Sequence, residues 1–215
     1  MKILGNLLRR LVSKKSEKGE YSAGYWPLKV RTKLVDLAPK TGTYLEVGCG
    51  EGLFLKDLRN SKPLLLLTGV DNWEEILNKS KERFKGDEKV KLLLSSGEKL
   101  PFADSSFDSA SAVNLLINIK EKETVNSIIR ELLRVVKPSG SIFFDIRNKR
   151  SPFLSLQYGL AKFYDPDIKV PLMRYNEEEF DVLIGGKVAR KSHYLTFFGR
   201  GNRFSPIIII EIVKK

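Results

Sequence analysis

The chain has 215 residues, of which 42% are hydrophobic and 10% aromatic, a composition that suits one folded domain with a full core and excludes a disordered chain. Its net charge of +12 gathers in the flanks: residues 1–33 carry nine Lys/Arg against two Glu, residues 147–215 carry thirteen against seven acids, and the middle is close to neutral. The single cysteine, Cys49, excludes an internal disulfide framework and a cysteine-rich zinc site, so a reducing, cytoplasmic setting is the expectation and no metal is expected.

Residues 3–12 place Ile3, Leu4, Leu7, Leu8, Leu11 and Val12 on one helical stripe, with Lys2, Arg9, Arg10 and Lys14 mostly opposite. The apolar positions are spaced, no small-residue cleavage site follows, and no run approaches the roughly 20 apolar residues that span a bilayer. A polar stretch to Gly24 leads to the aromatic group Tyr25-Trp26-Pro27, and a second helical pattern runs from Lys29 to Leu37. The charge distribution puts a boundary after residue 33, separating a basic N-terminal segment from a domain over 34–215.

From there strands and helices alternate. Strands are expected at Thr43–Cys49, Leu64–Asp71, Val90–Ser95, Phe107–Leu116 and Ser141–Ile146. Helices are expected at Gly52–Arg59, Glu74–Phe84 and Lys122–Val136, the last ended by Lys137-Pro138-Ser139-Gly140. Continuous apolar strands alternating with helices indicate a parallel sheet covered on both faces. Residues 147–176 break the rhythm with a basic loop from Arg147 to Arg150, an amphipathic segment Phe153–Tyr164 and a Pro-containing turn. A helix over Glu177–Leu183 is expected to start from Asn176 as N-cap and to end at Gly185-Gly186; two closing strands follow at His193–Phe198 and Pro206–Val213.

The sharpest motif is Glu46-Val47-Gly48-Cys49-Gly50-Glu51-Gly52, at the junction of the first strand and first helix. Glycines at alternate positions permit a tight turn and bring a ligand close to bare backbone. The spacing differs from the G-x-G-x-x-G of pyrophosphate-binding loops. An acid two residues before the first glycine suits a cationic ligand. Asp71, at the end of the second strand, can accept both hydroxyls of a ribose, so loop and acid together describe a nucleoside site without a diphosphate. The plain alternative is a structural turn, with Asp71 capping the next helix.

Four blocks carry a resemblance: Tyr44–Phe54 (YLEVGCGEGLF), Leu67–Asp71 (LTGVD), Glu98–Asp108 (EKLPFADSSFD) and Glu131–Ile142 (ELLRVVKPSGSI). In this order the chain resembles the class I S-adenosylmethionine-dependent methyltransferases, and most their small-molecule, methyltransferase type 11 branch with its ubiquinone- and menaquinone-type enzymes. The resemblance implies an α/β, Rossmann-like, seven-stranded and mostly parallel sheet with helices on both faces. It implies S-adenosyl-L-methionine as cofactor and S-adenosyl-L-homocysteine as product. Glu46 would lie near the methionine amino group, with Gly48, Cys49, Gly50 and Gly52 along the methionine and ribose. Asp71 would hold the ribose hydroxyls, with Asn72 beside the adenine, and Asn114 would border the sulfonium and the substrate. Family members often carry Gly-Asp-Ala-Glu after the third strand; here Ser95-Ser96-Gly97-Glu98 puts Ser96 where an acid accepts from the adenine amino group.

An activated methyl group needs mainly an aligned nucleophile and a dry site, so no catalytic triad is required. His193, the sole histidine, and Asp145 are candidate bases, and no base is assigned. Tyr25 and Trp26 either close over the site or anchor the N-terminal segment; with Arg147 they mark the expected substrate region. The absence of an Asn-Pro-Pro-Tyr signature disfavours amino-group methylation of nucleic acid. A small, hydrophobic or lipid-like acceptor is the expectation. The alternatives are an RNA methyltransferase using the basic flanks and a non-catalytic binding protein motivated by Ser96. Residues 1–15 and Phe153–Tyr164 suggest contact with a membrane surface, or else a lid. The oligomeric state has no sequence signal.

Overall fold

A computed structural model describes residues 25–157, 173–185, 188–197 and 200–215. The expectations for residues 1–15, and for most of the 153–164 segment, lie outside these residues.

Seven strands form one sheet: β1 (Thr41–Val47), β2 (Leu64–Asp71), β3 (Val90–Leu94), β4 (Phe107–Ala112), β5 (Val136–Arg147), β6 (Val188–Leu195) and β7 (Ile207–Lys214). Their order across the sheet is β3-β2-β1-β4-β5-β7-β6. The first five pair in parallel, whereas β7 runs antiparallel to both β5 and β6. The seven-stranded, mostly parallel sheet is therefore observed. Its direction of travel reverses between β1 and β4, which opens a crevice at the carboxyl ends of the strands.

Among the described residues, helices α1 (Tyr25–Leu37), α2 (Leu53–Ser61), α3 (Glu74–Arg83) and α4 (Lys122–Val135) cover the sheet. Alternation along the strands divides the core in two. On one face Tyr44, Leu65, Leu67, Phe143, Ile207 and Ile209 pack with Trp26, Val30 and Leu34 of α1 and with Phe54, Leu55 and Leu58 of α2. On the other, Leu45, Val47, Ile142, Phe144 and Ile208 meet the α4 stripe of Val125, Ile128, Ile129 and Leu132. The four consecutive isoleucines of β7 are at most 1% exposed, as expected of a strand covered on both sides.

Several elements differ from the sequence expectation. α1 takes in Tyr25-Trp26-Pro27, because a proline in the first helical turn has no hydrogen bond to forfeit. The helix therefore runs through the boundary at residue 33, and its buried face belongs to the domain core. β4 stops at Ala112, four residues early, because Asn114 turns the chain with φ 53. Lys137-Pro138-Ser139-Gly140 lies inside β5, where the register to β4 shifts and Ser139 takes φ 64. The expected helix at 177–183 is a 3-10 turn, Glu177–Phe180, followed by the single turn α5 (Asp181–Ile184).

Candidate active site

β1 ends in the glycine loop, and all three of its glycines adopt the left-handed backbone: Gly48 with φ 75, Gly50 with φ 52 and Gly52 with φ 74. A Cβ on Gly48 would come within 2.7 Å of Leu115 Cδ1, whereas one on Gly50 would meet only Ile76, at 3.7 Å. The loop is laced to the end of β2. Gly48 and Cys49 donate their N–H groups to Val70 O at 2.8 and 3.0 Å, and Gly50 N–H reaches Asp71 Oδ2 at 2.7 Å.

Asp71 Oδ1 accepts from Trp73 N–H at 2.9 Å. One carboxylate thus joins the loop to the start of α3, which is the structural role expected of a cap. Each oxygen keeps a further lone pair, so the same group can still receive ribose hydroxyls. Both readings of Asp71 fit one geometry.

Glu46 points to the α1/α2 face beneath this loop and is 2% exposed. Among the described residues its Oε2 has no hydrogen-bond partner. Burial pushes its pKa well above the usual carboxylate range, and the Arg31 guanidinium opposes that shift. Arg31 is itself buried on α1 and pairs with Asp57 of α2 at 2.8 Å. Arg31 belongs to no motif. Its one sequence signal is a cation flanked by Val30 and Leu34 on the stripe that faces the core.

The remaining cofactor-side residues divide by role. Cys49 is buried, its thiol pushed up by burial, with its Sγ against Gly69, so the loop offers backbone there. Gly97 is required by packing, since a Cβ would come within 2.6 Å of Val47 Cγ1. Ser96 Oγ accepts from Glu98 N–H at 3.2 Å, and Asn72 and Glu98 are exposed beside the end of β3.

On the far side of the crevice the turn after β4 lies against the glycine loop through Leu115. Beneath it runs a buried network. Asp145 Oδ1 accepts from Asn114 N–H at 2.5 Å, its Oδ2 pairs with Arg147 at 2.6 Å, and Arg147 donates to Asn114 Oδ1 at 3.1 Å. Both Asp145 oxygens are engaged and the side chain is 0% exposed, so Asp145 is an anchor rather than a base. Arg147 is likewise a buried pair member, not a side chain held out to substrate.

Met173 N–H bonds to Ile117 O at 2.8 Å, and Tyr175 OH to Ile119 O at 3.3 Å, so residues 173–175 brace the same turn. The basic loop beyond β5 is neutralised locally. Lys149 and Lys122 both grip Glu179, and Arg150 grips Glu178.

Two candidates fall away from the crevice. His193 pairs with Glu211 at 2.6 Å on the outer strands β6 and β7. Trp26 is 6% exposed and packs on Phe197 and Phe153, at ring separations of 4.5 and 6.4 Å, which makes it a core anchor. Tyr25, 38% exposed, stacks on Phe197. Among the described residues no group of three or more His, Cys, Asp or Glu could hold a metal ion.

Comparison with known proteins accords with this geometry. A family model described as a methyltransferase domain matches residues 45–144. A ubiquinone/menaquinone biosynthesis C-methyltransferase of Desulfotalea psychrophila is 29% identical over 126 residues, covering 59% of this chain and 49% of that one. A demethylmenaquinone methyltransferase of Staphylococcus aureus is 29% identical over 177 residues, covering 80% of this chain and 72% of that one. The chain spans about half the length of the first of these. Among solved structures, a possible histamine N-methyltransferase from Thermotoga maritima superposes with a TM-score of 0.68 at 22% identity, covering 87% of this chain and 89% of that one. The N-methyltransferase NodS of Bradyrhizobium japonicum, solved with S-adenosyl-L-homocysteine, gives 0.66 at 14% identity, covering 97% and 96%. At such identities these structures share the fold.

Proposed function

We propose that the chain, which a methyltransferase-domain family model matches over residues 45–144, is a class I S-adenosylmethionine-dependent methyltransferase and that it methylates a small, hydrophobic, ring-bearing molecule of quinone type. The observation that carries the cofactor assignment is the sealed, unpartnered Oε2 of Glu46 beneath a loop of three left-handed glycines. A buried carboxylate oxygen without a hydrogen bond is costly, and an ammonium group resolves that cost. Glu46 would take the methionine amino group, the backbone of Gly48–Gly52 the length of the methionine and ribose, and Asp71 the ribose hydroxyls.

S-adenosyl-L-methionine held by these residues would supply a methyl carbon already activated by a sulfonium. The chain has to bind, orient and exclude water. The turn at 113–116, braced by residues 173–175, would border the crevice for that purpose. Neither His193 nor Asp145 is placed to take a proton, so the acceptor would enter in its reduced, phenolic form as its own nucleophile, and the proton displaced by the methyl group would leave to solvent. The quinone-type acceptor is supported by the names of the two bacterial relatives and by the apolar surroundings of the turn after β4.

Calorimetric titration with S-adenosyl-L-methionine and S-adenosyl-L-homocysteine tests the reading. Saturable binding, weakened at least tenfold by Asp71→Ala, is expected. No binding by folded protein at millimolar ligand would sink it and favour a non-catalytic binding protein.

A peripheral membrane contact is the second reading, favoured by Leu156, which is 64% exposed in the helical stretch 152–157. Leu154 of that stretch is buried, as a lid would require. Among the described residues no helix is long and apolar enough to cross a membrane. Co-sedimentation with anionic liposomes, lost on deleting residues 1–15, would support the contact within a cytoplasmic setting. An RNA substrate is disfavoured, because the cations at 149 and 150 are paired within the chain. A steep fall of RNA affinity with salt would reverse that judgement.

A further inference from the structure

Asn114 is a buried polar residue at the mouth of the crevice, and nearly all of its hydrogen-bonding capacity is committed. Its N–H goes to Asp145 Oδ1 at 2.5 Å, and its carbonyl accepts from Asn118 Nδ2 at 3.0 Å. Its side-chain Oδ1 accepts from Arg147 at 3.1 Å. A guanidinium can only donate, so this contact fixes which end of the amide faces inward. The Oδ1 end must meet Arg147, and the Nδ2 end must face the other way.

Among the described residues that Nδ2 group has no hydrogen-bond partner, yet it is not among the side-chain polar atoms that are both unpartnered and sealed from solvent. It is a donor held in one orientation and still reachable. The backbone adds a second constraint. Asn114 sits at φ 53, a conformation that asparagine and glycine accept more readily than other residues. The neighbouring Leu115 packs against Gly48, which places the turn beside the cofactor loop.

We propose that Asn114 recognises an acceptor oxygen on the methylated molecule through its amide Nδ2, and that the buried Asp145–Arg147 pair positions it. Asn114 is then the residue that sets substrate specificity, and Asp145 and Arg147 act through it. The substrate class is a ring carrying a carbonyl or phenolic oxygen close to the carbon or heteroatom that receives the methyl group. A hydrocarbon ring of the same shape leaves the donor unpaired in a buried setting and is rejected for that reason. The inference rests on the function proposed above.

The test uses the full chain saturated with S-adenosyl-L-homocysteine, each variant at its own measured affinity. Two probes of one shape are compared by equilibrium dialysis: 1,4-naphthoquinone, which has two acceptor oxygens, and naphthalene, which has none. The wild-type protein is expected to prefer naphthoquinone at least tenfold. Asn114→Gly keeps the backbone conformation while removing the amide, and it should reduce that preference below threefold with naphthalene binding unchanged. Asn114→Asp, which turns the donor into an acceptor, should do the same. Arg147→Met should also lose the preference, whereas Arg147→Lys, which keeps a donor for both partners, should restore part of it; a merely structural role would not produce that recovery. Thermal melting checks that each variant is folded. Equal binding of both probes to wild type, no binding of naphthoquinone, or a preference that survives Asn114→Gly overturns the proposal. Failure of the wild type to bind S-adenosyl-L-homocysteine is a different result: it removes the cofactor assignment and everything built on it.

Discussion

The two sides of the crevice are built by different means. On the cofactor side, β1, β2 and the glycine loop meet through backbone: three left-handed glycines, N–H groups on Val70 O, and one carboxylate at Asp71 receiving two more N–H groups. On the acceptor side, the ends of β4 and β5 and residues 173–184 meet through charged side chains, with Asp145–Arg147 at the base and Glu178 and Glu179 clasping Lys122, Lys149 and Arg150 at the rim. A backbone-built half fails by steric overlap. A half built from ion pairs fails by stranding a charge, and its exposed pairs weaken with salt.

The largest effect should come from the acceptor side. Asp145→Ala leaves the Arg147 guanidinium, 4% exposed, without its carboxylate. Breaking one partner out of a buried pair costs about 3–5 kcal/mol, whereas replacing both partners together by apolar groups is far milder. Urea denaturation should show the single variant below the Asp145→Leu/Arg147→Met double variant. The reverse order would mean that the network is not dry.

The cofactor side should break next, and unevenly. Gly52→Ala places a methyl group against Ser80 Oγ and within 2.7 Å of Phe84 Cε2 at φ 74, so strain and overpacking together cost about 2–4 kcal/mol. Gly50→Ala has a similar backbone penalty but open space, with Ile76 at 3.7 Å, and should cost about 1 kcal/mol. Equal losses at the two positions would refute the steric account.

That contrast also explains what the sequence reveals. A glycine spacing encodes a backbone shape within five residues, so Glu46, Gly48, Gly50, Gly52 and Asp71 are legible from the amino-acid order alone. The strand alternation is equally local, and it yields the seven strands. The Asp145–Arg147–Asn114 network joins residues 31 and 33 positions apart, so the sequence singles its members out separately, as a candidate base, a substrate-region residue and a border of the sulfonium, and not as partners. The acidic run 177–179 reads as the first turn of a helix. It is that first turn, of 3-10 form and capped by Asn176, and it is also a clasp, because Glu177 is drawn to Tyr194 OH at 2.9 Å while its two neighbours take cations from elsewhere in the chain. Arg31 is hidden for the complementary reason: a helical stripe shows which face is buried, not that a cation on it has Asp57 waiting.

A smaller effect separates stability from binding at Glu46. Burial raises its pKa in the folded protein, so the folded state holds a proton that the unfolded state gives up near its ordinary pKa. Stability conferred by the neutral form is present below that ordinary value and is lost as pH rises through the higher, folded one. Glu46→Gln should therefore melt at a higher temperature than wild type at pH 8, with a smaller difference at pH 5, while its affinity for S-adenosyl-L-methionine falls. Loss of stability at pH 8 would place a permanent partner on Glu46.

The rim clasp should give the smallest change, with the opposite pH sign. Partial burial alone would raise the Glu179 pKa, but the Asn176 N–H, Lys149 and Lys122 outweigh it and bring it to about 2. A depressed folded pKa contributes stability that is fully present above the unfolded value and is lost as pH falls through the folded one, here between about 4.5 and about 2. The partner lysines are 66% and 41% exposed, so solvent and salt screen most of the attraction. Glu179→Gln should then cost about 0.5–1 kcal/mol at pH 7 and low salt, most of it gone in 1 M NaCl and most of it by pH 2. Under the same changes of salt, the penalty of Gly52→Ala should stay constant, because steric overlap is not screened. If both penalties fell together with salt, the division of the crevice into a backbone-built half and a charge-built half would be wrong.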